Sequence, residues 1–255
     1  MANTMLFGSI YMGKEPMQTG DKFPGGRPMI TLGDMVPSMG IRWVLVNGLL
    51  IASISILRDA SLDALCAYGL AEGQMVNIDG QTYRCRLLRV NDMKDPENEW
   101  EAALQAAGDE DRLWHWTDEP FWVFDCTNRR PTVIVRSNTP PARKSHVVCS
   151  NSDELWGWRP VLEPIQMDFS RFCPGDCLEV GGSKSCVSGQ LIEITEYDLV
   201  LDNCNAANIA LEEQFGVKLD KGRMVIDKSA VTAVRKVPLL KKEDIELSNT
   251  WLMAI

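Results

Sequence analysis

Apolar positions along the chain recur mostly with a period of two, in short runs cut by glycine, asparagine and aspartate, the pattern of strands and tight turns. Residues 41–57, IRWVLVNGLLIASISIL, read as two strands joined at Asn47 and Gly48, a pair that tolerates the positive φ of a hairpin turn. Residues 74–88, QMVNIDGQTYRCRLL, repeat the device around Asp79 and Gly80, with Tyr83, Cys85 and Leu87 alternating as one buried face. Helical spacing is rarer. Asp59 or Ser61 caps a short helix over 62–68 that Gly69 ends. Residues 98–107, NEWEAALQAA, place Trp100, Leu104 and Ala107 on one helical face before Gly108.

Between and around these elements the punctuation changes. Residues 1–40 are rich in Gly and Pro, show little periodicity, and read as an extended, turn-rich arm that owes its order to packing elsewhere. A Trp-rich stretch, LWHWTDEPFWVF, leads to a strand over 132–136, a basic loop over 137–145, a strand over 146–149, and the closing segment GWRPVLE. A new composition starts near Met167. Strand candidates at 175–180, 189–195, 197–202, 224–227 and 230–237, with a helical insert at 206–215, suggest a small barrel. The expected organisation is therefore β-rich and α+β: an arm over 1–40, a domain over 41–166, and a small β-barrel over 167–255.

An IDG-x-x-Y-x-C-R-L-L hairpin, NEW in the helix that follows, a Trp-rich segment and a closing GWRPVLE resemble a set of uncharacterised bacteriophage and prophage proteins over residues 41–165. The layout is distantly similar to the C-type-lectin-like fold of formylglycine-generating enzymes and phage receptor-binding domains. No residue here maps onto the catalytic cysteine pair of a formylglycine enzyme. The resemblance thus implies a viral origin and a C-type-lectin-like N-terminal module, and no activity. Over the C-terminal part, GQLIEITEYDLVLDN resembles Sm-like and SH3-like barrels.

Composition narrows the function classes. Of 255 residues, 45% are apolar and 24% charged, ordinary values for a folded chain. The longest apolar run, 43–57, is too short to span a bilayer, so no membrane partner is expected. The opening residues MANT carry neither a basic nor an apolar signal region, so a cytoplasmic location is expected, that of the host cell if the chain is phage-encoded, and the eight cysteines read as free thiols. A net charge of −9 argues against general nucleic-acid binding.

Familiar catalytic patterns are missing. Cys173 and Cys177 form the one close cysteine pair, and a zinc site would need a second pair at similar spacing, so no metal or other cofactor is expected. There is no G-x-x-x-x-G-K-[ST] phosphate loop. His115 and His146 are the only histidines, neither in a nucleophile signature, and no catalytic residue is assigned.

One local field stands out. No acidic residue occurs from 126 to 152, while Arg129, Arg130, Arg136, Arg143 and Lys144 fall inside, with indoles on both flanks. Guanidinium forks hold phosphates and aromatic faces stack on bases, so Trp114, His115, Trp116, Trp122, Arg136, Arg143, Lys144, Trp158 and Arg159 are the candidate ligand-binding residues for a small anionic, nucleotide-like molecule. The competing expectation is that the indoles build a core and the basic loop faces solvent, with Arg159 as ready to pair with a buried carboxylate as to touch a ligand. The leading functional expectation is a non-enzymatic, phage-encoded, homo-oligomeric protein that sequesters a phosphate-bearing signal of host defence. Two alternatives stay open: a virion or tail-associated interaction module, and a nucleotide-cleaving enzyme working through His115 or His146.

Overall fold

The computed structural model describes residues 4–23, 29–90, 98–115, 119–126, 130–136, 144–147, 155–206, 216–218 and 223–238. These residues form a β-rich α+β protein built on four sheets and three short α-helices. The first sheet is antiparallel and orders its six strands as Thr4–Leu6, Arg42–Val46, Leu49–Ala52, Pro160–Gln166, Gln81–Leu87 and Gln74–Ile78. The second is mixed and runs Lys144–Val147, Arg130–Arg136, Phe121–Asp125, Leu155–Trp158, Leu57–Ser61 and Asp21–Lys22, with Arg89–Val90 pairing alongside Phe121–Asp125. A third, antiparallel sheet is C-terminal: Gly216–Lys218, Met224–Asp227, Asp198–Ala206, Cys186–Ile194, Cys177–Gly181 and Ala233–Lys236. The fourth joins Glu15–Met17, Ser9–Met12 and Ile30–Gly33.

Local chemistry accounts for the hairpins. Asn47 and Gly48 close one with φ of 49° and 79°, and Asp79 and Gly80 close the other with φ of 49° and 77°, the left-handed pair that matches the twist of the flanking strands. Helix α1 (Leu62–Ala67) starts at Ser61, whose hydroxyl accepts from Ala64 N. Helix α2 (Glu99–Ala107) starts at Asn98, whose side chain accepts from Glu101 N, and ends at Gly108. Helix α3 (Asp111–Trp114) is a single turn.

The arm over 1–40 is ordered partly from outside and partly by itself: Thr4–Leu6 and Asp21–Lys22 pair with distant strands, whereas Ser9–Met12, Glu15–Met17 and Ile30–Gly33 pair with one another as a sheet of their own, which the lack of periodicity did not announce. In the C-terminal part, the strand Gly216–Lys218 was absent from the sequence expectation, and the helical insert expected at 206–215 falls almost wholly outside the described residues.

The first sheet is buried on both faces. Trp43, Leu45, Leu50, Tyr83 and Leu162 enter the larger core, while Val44, Val46, Ile51 and Val161 enter a second core under α2. That double burial is why 41–57 reads as a nearly continuous apolar run. Arg86, only 3% exposed, fastens α2 to the sheet: its guanidinium donates to Glu99 at 2.7 and 2.9 Å and to Glu163 at 3.1 Å. The C-terminal sheet keeps its own core and is joined to the first by Tyr83 Oη donating to Thr232 O and Gly48 N donating to Ser183 O.

Trp100 is the anchor of α2, with its ring 5.0 Å from those of Trp114 and Phe121 in edge-on geometry. Trp100→Ala is expected to destabilise the fold by about 3–5 kcal/mol in denaturant unfolding. A loss below about 1 kcal/mol would show α2 to be peripheral to folding.

Candidate functional site

Arg159 lies between the strands Leu155–Trp158 and Pro160–Gln166, where the chain leaves one large sheet and enters the other. The residue is fully buried. Its Nη1 donates to Ser53 O at 2.7 Å and Ala52 O at 3.2 Å, and its Nη2 donates to Trp114 O at 2.6 Å. The guanidinium carbon stands 4.5 Å from the Phe121 ring centroid, 5.5 Å from that of Trp100 and 6.0 Å from that of Trp114. Burial pushes the group down to about 9, against the more distant pull of Glu119 and Asp111, so it stays charged at neutral pH. The cation is met by carbonyl oxygens and ring faces, and neither a buried carboxylate nor a ligand position supplies its contacts among the described residues.

Of the two expectations for the indoles, a ligand-stacking face and a core, the structure gives the core for Trp114, Trp122 and Trp158. Trp114, Trp122 and Trp158 are fully buried. Trp114 Nε1 donates to Gly108 O at 2.7 Å and Trp122 Nε1 to Ala60 O at 2.8 Å. Their faces are occupied by the protein itself, which leaves none for a base to stack on. Arg136 and Lys144 face each other in register on adjacent strands. Trp116 and Arg143 lie outside the described residues. His115 is exposed; it caps α3 in a left-handed conformation with φ of 43°.

Over this buried cluster lies a surface groove. Two adjoining depressions of about 230 and 360 Å³ share Ser55, Arg58 and Glu119. Trp156 and Asp59 line the first, His115 and Gly20 the second. Gly157 permits the close approach that shapes its floor, because a Cβ there would collide with Ser55 Oγ. Ser55 is 3% exposed, and its hydroxyl has no hydrogen-bond partner among the described residues. Arg58 Nε donates to Gly20 O at 2.6 Å, which fixes the guanidinium at the groove wall. Asp59, with φ of 55°, is the second left-handed residue of the groove and pairs with Lys22 at 2.9 Å. Two non-glycine residues in this backbone region within one groove mark it as a functional candidate.

No family model, curated protein or solved structure matches this chain. The groove is therefore read from its own chemistry.

Ser55, Arg58, Asp59, Glu119 and Trp156 were not among the sequence candidates. The visible signals were the pair of serines, Ser53 and Ser55, interrupting an otherwise apolar run, and Trp156 among the indoles that flank the basic stretch. Among the described residues no group of three or more His, Cys, Asp or Glu side chains could hold a metal ion, and Cys173 is exposed while Cys177 is half-buried. No helix among them is long and apolar enough to cross a membrane.

Removing Arg159 should expose how much the cluster beneath the groove depends on it. Arg159→Ala strips three buried carbonyl oxygens of their donor and opens a cavity, with an expected loss of about 3–5 kcal/mol in denaturant unfolding. Arg159→Lys keeps the charge without the planar fork and should recover less than half of that loss.

Proposed function

We propose that the protein is a non-enzymatic binding protein whose groove around Ser55 takes a small, polar, ring-bearing molecule of the nucleotide-derived class. The observation that carries this reading is the Ser55 hydroxyl, buried, unpartnered and set in the groove wall. An unsatisfied buried hydroxyl costs about 1–3 kcal/mol, and a ligand atom that bonds to it returns that free energy as affinity. Around it stand the other groups such a molecule needs: a guanidinium at Arg58 for a phosphate, carboxylates at Glu119 and Asp59 for sugar hydroxyls or ring N–H groups, and the Trp156 indole for a ring.

Binding is favoured over cleavage because Ser55 Oγ has no base within hydrogen-bond reach among the described residues, so no activated nucleophile is assembled. The likeness to phage proteins adds, as analogy, a biological setting: sequestration of a defence signal by mass action, in a lectin-like module whose partner module is a small barrel.

Incubating the protein with a panel of cyclic mononucleotides, cyclic dinucleotides and ADP-ribose should deplete one class from solution, and denaturation should return it intact. Ser55→Ala should weaken that binding by about 1 kcal/mol while leaving unfolding stability equal or higher; Arg58→Gln should weaken it by about 1.5–3 kcal/mol. Depletion of none of the panel overturns the proposal, and recovery of an altered nucleotide replaces it with a catalytic one.

A further inference from the structure

A second cleft, of about 500 Å³, opens where the C-terminal sheet meets the first sheet, and its chemistry differs from that of the groove. One side is apolar, made by Leu6, Met35, Pro37 and Phe172, with Leu6 39% exposed. The other side carries cations, two of which are already committed. Arg235 Nε donates to Glu179 at 2.5 Å, and Lys236 Nζ pairs with Asp176 at 2.8 Å. Arg171 makes no ion pair among the described residues, although it feels Asp79 and Asp168 at longer range.

Arg171 is held in place by the fold. Its stem crosses Gly80 at the tip of the 74–87 hairpin, where a Cβ would collide with Arg171 Cδ. The segment before it is docked by a reciprocal pair of bonds: Gln81 Nε2 donates to Asp168 O and Asp168 N donates to Gln81 Oε1, each at 2.8 Å. Asp79 shares the cleft without pairing with the guanidinium, and burial and then the nearby Asp34 carboxylate push its carboxyl above the ordinary range.

We propose that this cleft is a separate binding site for a small amphipathic monocarboxylate, its hydrocarbon body against Leu6, Met35, Pro37 and Phe172 and its carboxylate on Arg171. An apolar pocket of this size with one well-placed cation suits a ligand that is mostly hydrocarbon with a single charge. A bidentate guanidinium–carboxylate pair fits the fork of Arg171. A dianion fits less well, because Arg235 and Lys236 are neutralised by their own partners and Asp79 would face the second charge.

Decanoate and decanol serve as probes with the same chain and different head groups, titrated calorimetrically into the full chain. Decanoate is expected to bind saturably at one site and at least about tenfold more tightly than decanol, a difference of about 1.4 kcal/mol. Arg171→Gln, at an exposed position that leaves the melting temperature unchanged, should erase the preference, whereas Ser55→Ala should leave it intact. Equal affinity for the two probes, non-saturating uptake, or a preference that survives Arg171→Gln would overturn the assignment.

Discussion

The Arg159 guanidinium presents five N–H donors in a place no water reaches, at the point where the chain passes from the seven-stranded mixed sheet to the first sheet. Its partners come from three separate parts of the sequence: the end of the strand Leu49–Ala52 and the residue after it, the last residue of α3, and the ring of Phe121. Each alone would be a poor home for a buried charge. Together they supply three charge-assisted bonds and a cation–π face, which is enough to offset a desolvation penalty of several kcal/mol only if all are in place at once. That all-or-none requirement sets where α3 sits, and with it the backbone of His115 and the outer wall of the groove.

The groove and the buried cluster are thus two sides of one arrangement. Beneath, the two Nη groups of Arg159 and the indole N–H groups of Trp114 and Trp122 are met by the protein's own carbonyls, while Arg159 Nε and Trp158 Nε1 find no hydrogen-bond partner among the described residues. Above, a guanidinium and two carboxylates line a surface groove where two residues adopt a left-handed backbone, with the buried Ser55 hydroxyl in its wall. A site whose groups are to meet a ligand gains from a rigid support, because ordering cost is then paid in folding and not in binding.

Much of the fold was legible because its signals are local. Asn47 with Gly48 and Asp79 with Gly80 specify turns by their own φ preferences, and Asn98 and Gly108 bracket α2 by capping chemistry. The strand order was not legible, since the insertion of Pro160–Gln166 between Leu49–Ala52 and Gln81–Leu87 depends on pairing across more than seventy residues. The candidate site was legible only in part. A cluster of indoles beside arginines has one composition whether the rings stack on a ligand or on the guanidinium of Arg159, and only burial separates the two cases. Ser55 left almost no trace, because a serine in an apolar run looks the same whether or not its hydroxyl finds a partner, and nothing in 41–57 announced that the chain bends at 53–56 between two strands of different sheets.

The late strand has a consequence for how the chain is made. Until residues 160–166 leave the ribosome, the hairpins on either side of their slot present open, apolar strand edges to each other and to neighbouring chains. Nascent or truncated forms lacking that segment carry a template for intermolecular pairing, so synthesis itself is the stage at which this protein is most exposed to aggregation and most in need of a chaperone.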